Sequence, residues 1–171
     1  MFEIVVGTPD SFSDEDIQAA ARLTKAGGAL PATEEVIALR IRRSRRLGLC
    51  KVGPTVVGVV SIKEPSPNYR KGVFQKAEAL STLFSAAPEL GYVTIHKEWR
   101  GRKLAQKLVG AALQELTETC YATTDDASMK AILSKVLFSQ LGKEWKGARG
   151  VLSLWTLNDR SKLDDLELTT E

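Results

Sequence analysis

The chain has 171 residues, 43% of them hydrophobic and 26% charged. That is the size and balance of a single folded domain and excludes a disordered chain or a fibrous repeat. Two cysteines, Cys50 and Cys120, and one histidine, His96, build neither a disulfide framework nor a zinc site, so no metal is expected. No apolar run approaches the ~18–20 residues of a membrane span. Met1-Phe2-Glu3-Ile4-Val5-Val6 lacks the charged-then-apolar layout of a signal peptide, so a cytoplasmic protein with no membrane partner is expected.

The net charge of +3 is unevenly spread: residues 159–171 hold five acids and two bases, which leaves 22 bases and 16 acids, or +6, on residues 1–158. A basic body suits an anionic ligand or partner. Residues 159–171 read as an acidic, mobile tail beyond a domain over residues 1–158.

Residues 2–6 are rich in β-branched and aromatic side chains and read as a strand. Ser13 then caps a helix with Ile17, Ala20, Ala21 and Thr24 on one face, and Gly27-Gly28 ends it. Thr33 opens a second helix that turns Ile37, Ile41 and Ser44 to one side and Arg40, Arg42, Arg43, Arg45 and Arg46 around the rest. Residues 49–52 and 55–62 are strands joined by a Gly53-Pro54 turn. Pro65, Pro67 and Asn68 begin an irregular stretch in which residues 73–84 have helical spacing, closed by Pro88. Residues 90–95 form a strand that passes through a polar link into a helix over residues 102–118, with Leu104, Leu108, Ala111 or Ala112 and Leu116 at helical intervals. A short strand at 121–123 and a helix at 126–137 follow. A hairpin then joins residues 142–146 to 151–157 around Gly147 and Gly150. This order predicts an α/β (α+β) domain, a mixed twisted sheet with helices on both faces.

The stretch from Leu90 to Leu108 is the most informative. A buried strand enters a turn of small and basic residues that opens an amphipathic helix. The first turn of a helix has unpaired N–H groups and a partial positive charge, so a phosphate placed there gains several hydrogen bonds. Arg100, Arg102 and Lys103 surround that turn. The residues therefore point to a phosphate-bearing ligand at residues 100–105. The plainer alternative is a solvated, charged helix start.

Val93-Thr94-Ile95 followed by Arg100-Gly101-Arg102-Lys103-Leu104-Ala105 resembles motif A of the GNAT (Gcn5-related N-acetyltransferase) superfamily, Gln/Arg-x-x-Gly-x-Gly/Ala. Residues 122–129 and 133–138 resemble its motif B, an Asn-x-x-Ala/Met helix ending in Tyr-x-Lys-x-Gly-Phe, with Asp126 at the helix start. The resemblance covers roughly residues 1–157. It implies an N-acyltransferase that uses acetyl-CoA as acyl donor. Val93, Thr94, Ile95, Arg100, Gly101, Arg102, Lys103, Leu104, Ala105 and Asp126 are implied as the residues that bind it. It further implies direct attack by an amine, with a backbone N–H near residues 93–95 stabilising the oxyanion. Three positions depart from the pattern. Lys103 stands where glycine is expected and either crowds a phosphate or pairs with it. Leu133 stands where many members carry a tyrosine that protonates the leaving thiolate. Leu137 replaces the glycine before Phe138.

For the general base, Glu89 at the mouth of the strand resembles the catalytic glutamate of histone-type members. The plainer reading is a solvated strand-start residue. His96, just after the strand, is the weaker candidate, with a solvent-facing link as its alternative. Tyr69, Tyr92 and Tyr121 are candidate acids. Cys50 and Cys120 read as packing residues. The family's acceptor pocket implies three basic segments, residues 40–46, 69–76 and 143–149. They suit an amine acceptor that is anionic or carried on nucleic acid. Of the tryptophans, Trp99 and Trp155 are expected half-buried and Trp145 more exposed. A homodimer is also implied by the resemblance. The alternatives are a weakly active GNAT-like protein that binds CoA or nucleic acid, and a small nucleic-acid-binding domain unrelated to acyl transfer.

Overall fold

A computed structural model of the chain describes residues 1–158; the expected acidic tail lies outside them. Along the chain run β1 (Glu3–Gly7), α1 (Asp14–Ala26), α2 (Glu34–Arg42), β2 (Arg46–Val52), β3 (Thr55–Lys63), α3 (Pro67–Lys76), β4 (Glu89–Ile95), α4 (Leu104–Gln114), β5 (Cys120–Thr124), α5 (Ala127–Lys135), β6 (Ser139–Lys146) and β7 (Val151–Leu157). The described residues fall into two compact units. One joins Met1–Glu64 to Leu90–Leu116; the other joins Pro65–Glu89 to the residues from Thr117 onward.

In the first unit the strands follow the order β1-β2-β3-β4, with β1–β2 and β2–β3 antiparallel. The period of two along β2 decides which helix covers which face. Leu47 and Leu49 join Ile17, Ala20, Ala21, Ile37 and Ile41 of α1 and α2 in one buried cluster. Gly48 turns to the opposite face, where a Cβ would lie 2.7 Å from Val60 and 3.3 Å from Leu108 of α4. Helices thus cover both faces, as the sequence predicts. Ser13 and Thr33 cap α1 and α2 by accepting from the N–H groups of Asp16 (3.1 Å) and Val36 (3.3 Å). A two-residue turn with Gly53 at φ 57° joins β2 to β3, as the Gly-Pro pair predicts.

In the second unit β5, β7 and β6 are neighbours in that order, antiparallel throughout. Glu89, the first residue of β4, pairs in parallel register with Tyr121 of β5, which makes the strand set mixed. Val73, Phe74, Ala77, Phe84, Ala87, Tyr121 and Leu154 form the unit's buried cluster.

Three expectations are corrected here. The helix predicted over residues 73–84 instead starts at Pro67 and ends at Lys76. Ser66 caps it, accepting from the Tyr69 N–H at 3.2 Å, and proline at the first helical position initiates a helix, since its missing N–H would be unpaired there anyway. Trp145, expected to be exposed, packs against the second unit's core. Trp155 is fully rather than half buried, with its indole N–H donating to Ser153 Oγ at 2.8 Å.

Candidate functional site

Each unit carries one of the two groups of residues singled out above. In the first unit, β4 leaves regular geometry at Tyr92, whose φ of 55° is left-handed. A bulky residue with positive φ inside a strand is strained and interrupts the side-chain alternation. The Lys63 ammonium sits 4.8 Å over the Tyr92 ring. Beyond it, Val93 and Thr94 are half-buried and Ile95 is buried. Thr94 lies against the end of α1, where a Cβ on Gly27 would come within 3.1 Å of it.

After β4 the chain makes a short helical turn over Lys97–Trp99 and enters α4 through Arg100, Gly101, Arg102 and Lys103, all exposed. Gly101 has φ 77° and Lys103 φ 58°, so two left-handed residues fold the backbone back on itself. Such alternation turns successive N–H groups to one side as an anion-binding concavity. A Cβ on Gly101 would meet nothing within 4 Å, so the glycine is required by its φ and not by crowding. Lys103 is the N-cap of α4 and makes no side-chain capping bond. The caps of α1, α2, α3 and α5 are Ser13, Thr33, Ser66 and Asp126, each accepting a backbone N–H. The first-turn N–H groups of α4 thus have no side-chain partner, next to three cationic side chains. Arg100 Nε donates to Ile95 O at 3.0 Å and Arg102 stacks 4.5 Å over the Trp99 ring, which fixes both guanidinium groups beside the turn. Lys103 occupies the position expected for glycine by adopting the conformation glycine favours. Leu104 is buried and anchors the helix start, while Ala105 is half-buried.

His96 is drawn into the backbone. Its Nδ1 accepts from the Glu98 N–H at 3.3 Å and lies 4.0 Å from the Glu98 carboxylate. That bond ties the ring nitrogen to the turn's own backbone. The ring stabilises the turn that leads into α4.

In the second unit Glu89 is buried, at 3% exposure, which corrects the solvated alternative. Its Oε2 accepts from the Tyr121 hydroxyl at 3.1 Å. Tyr121 is fully buried; burial first, and then the Glu89 charge, push its pKa well above the ordinary tyrosine value. It is therefore a firm donor to Glu89 rather than a free acid. Arg70 is also buried, with Nε donating to Ala87 O (2.9 Å), Nη1 to Ser85 O (2.6 Å) and Nη2 to Pro65 O (3.3 Å). Residues 69–76 therefore do not present Arg70 to an anionic acceptor, as expected from their basic character. Tyr69 is half exposed at 50%.

Other residues have structural partners. Asp126 Oδ1 caps α5 by accepting from the Met129 N–H at 2.8 Å. Leu133, at the position of the family tyrosine, is fully buried. Cys50 and Cys120 are buried, and burial raises the Cys50 pKa, so neither is an activated thiol. In the basic segments, Arg42 pairs with Asp14 (2.7 Å), Lys143 with Glu78 (2.7 Å) and Arg149 with Asp125 (3.2 Å); Arg40 and Arg43 are exposed.

Arg70 and Tyr121 are the residues that sequence reasoning undervalued. The signal for Arg70 was present. Once Ser66-Pro67 is read as a helix start, Arg70, Val73, Phe74 and Ala77 fall on one face at helical spacing.

No protein-family model matches this sequence, and no curated protein matches it. Solved structures do. Escherichia coli ElaA superposes with a TM-score of 0.67 at 14% identity, covering 91% of this chain and 99% of that one. An acyl-CoA N-acyltransferase from Pseudomonas aeruginosa gives 0.67 at 13% identity, with 91% and 99% covered. The ribosomal-protein-S18-alanine N-acetyltransferase from Escherichia coli gives 0.63 at 11%, with 91% and 93% covered. The chain has the GNAT fold, in agreement with the resemblance carried by its motifs.

Proposed function

We propose that the protein is an N-acyltransferase that moves an acetyl group from acetyl-CoA to an amine. The observation that carries this reading is the entry to α4. Alone among the five α-helices of the described residues it has no side-chain cap, and it is entered through two left-handed residues between cationic side chains. These residues fit a diphosphate: the N–H groups of the first turn supply donors, Arg100, Arg102 and Lys103 supply charge, and Gly101 supplies the left-handed bend. Bound acetyl-CoA supplies an activated acyl group. The chain's own residues then position it and manage the proton.

In this reading Arg100, Gly101, Arg102, Lys103, Leu104 and Ala105 hold the diphosphate, and Val93, Thr94 and Ile95 offer backbone groups to the rest of the donor. Glu89 is the proton acceptor for the nitrogen that forms the amide. Its burial means that the proton arrives through an intervening water. A second reading, a GNAT-like protein that binds CoA with weak turnover, is favoured by one observation: Leu133 is a buried hydrocarbon where the family acid would stand.

Thermal melting with acetyl-CoA tests the donor site, because a ligand that binds only the folded state raises the Tm by mass action. A rise at millimolar acetyl-CoA is expected, and no rise overturns the reading. Thiol release with a panel of amines then separates turnover from binding. Release above the hydrolytic background is expected, and binding without release selects the second reading.

A further inference from the structure

We infer that Tyr121 and Arg70 are positioning residues that hold Glu89 in place to accept the proton, an inference that rests on the acyltransferase reading. Three consecutive residues are clamped where the chain enters β4. Ala87 O is held by Arg70 Nε at 2.9 Å, Pro88 O by the Tyr121 N–H at 3.1 Å, and Glu89 Oε2 by the Tyr121 hydroxyl at 3.1 Å. Tyr121 therefore grips the segment twice, once by its backbone and once by its side chain, across the register pair it makes with Glu89.

The clamp is rigid because its parts are buried. Phe74 lies edge-on to the Tyr121 ring at 5.5 Å and stacks on Phe84 at 5.5 Å, which fixes the direction of the phenol. Arg70 gathers three carbonyls from Pro65, Ser85 and Ala87, tying the residues before α3 to the segment between α3 and β4 through one guanidinium. The Arg70 charge acts at Tyr121 in the sense opposite to Glu89. A carboxylate with one oxygen pinned by a donor is the arrangement that serves proton transfer, because orientation is set before the substrate arrives.

The titratable and charged groups on the elements around this cluster are few. Tyr69, Lys71 and Lys76 lie on α3, Glu78 follows it, and Lys143, Glu144 and Lys146 lie on β6. Lys143 pairs with Glu78 at 2.7 Å and Glu144 with Lys130 at 3.3 Å; β7 contributes no charge.

The experiment compares full-length wild type, Tyr121→Phe, Glu89→Gln and Arg70→Lys by kcat, KM for acetyl-CoA and Tm. Tyr121→Phe, which removes the donor that orients the carboxylate, should lower kcat about tenfold with KM for acetyl-CoA unchanged. Glu89→Gln, which keeps an acceptor for Tyr121 and so keeps the fold, should lower kcat about 100-fold at all pH values without weakening acetyl-CoA binding. Arg70→Lys, which cannot span three carbonyls, should lower kcat more than it raises KM. A Tyr121→Phe variant that melts earlier but keeps wild-type kcat overturns the inference, and so does a Glu89→Gln variant that keeps wild-type kcat. In either case turnover by the wild type leaves the acyltransferase reading standing. Should Tyr121→Phe fail to fold, the Glu89→Gln result decides. A wild type without turnover overturns both.

Discussion

The Tyr121 hydroxyl donates to Glu89 Oε2 at 3.1 Å, with both residues buried. This contact has a consequence for stability as well as for chemistry. The folded state holds the Tyr121 proton more tightly than the unfolded chain does, because burial and the Glu89 charge disfavour the phenolate. The contribution is thus fully present below the ordinary tyrosine pKa of ~10 and declines as the pH rises above it, where the unfolded state releases a proton that the folded state keeps. Thermal melts between pH 8 and 11 (roughly spanning that value) should show a falling Tm at the alkaline end, and Tyr121→Phe should flatten that fall.

Lys103 adopts φ 58°, a conformation that costs a side chain roughly 1 kcal/mol or more relative to glycine. Lys103→Gly should therefore leave stability unchanged or raise it by about 0.5 kcal/mol, glycine's extra unfolded entropy offsetting part of the gain. The same variant should bind acetyl-CoA more weakly at low salt, since it loses a cation beside the diphosphate. Urea melts and calorimetric titration at two ionic strengths separate the two effects.

Gly101 has φ 77° with open space around its missing Cβ. Gly101→Ala should therefore cost about 1 kcal/mol through backbone strain alone, with no steric clash. The turn should relax, and acetyl-CoA affinity should fall with it. Unchanged affinity in a folded Gly101→Ala protein would remove this turn from the donor site.

Gly48 lets α4 approach the sheet: an added Cβ would lie 2.7 Å from Val60 and 3.3 Å from Leu108. Gly48→Ala should destabilise by about 1–3 kcal/mol, because a β-branched strand neighbour and a buried leucine must both give way. Chemical denaturation with an unchanged m-value checks this.

Asp126 caps α5, and Asp126→Ala should cost about 1 kcal/mol while Asp126→Asn keeps the cap and most of the stability. Equal losses in both variants would show that the carboxylate's charge, not its capping bond, matters there.

Several features of the fold were legible in the residues. Ser13, Thr33, Gly27-Gly28 and Gly53-Pro54 are local signals, each satisfied within a few residues, and the chain obeys all of them. At Pro67 the local signal is double: proline breaks a helix in its interior but starts one at its first turn, and Ser66 before it decides for the start. The turn proposed to bind phosphate was also readable, as a run of small and basic residues between a strand and a helix. Its conformation was not. That Lys103 accepts a left-handed geometry, and that no side chain caps α4, depend on how β4 and α4 are held.

The amino-acid order by itself determined the alternation of strands and helices, the glycines that end α1 and turn β2 into β3, and the basic helix entry, because these follow from side-chain period, backbone freedom and charge acting over a few residues. Only tertiary structure decided that Glu89 is buried, that Tyr121 from 32 positions further along meets it, and that Arg70 spends its charge on three carbonyls. A hydrogen bond between residues far apart in the chain exists only once a core has formed around it, and that core is assembled from segments whose meeting no local pattern encodes.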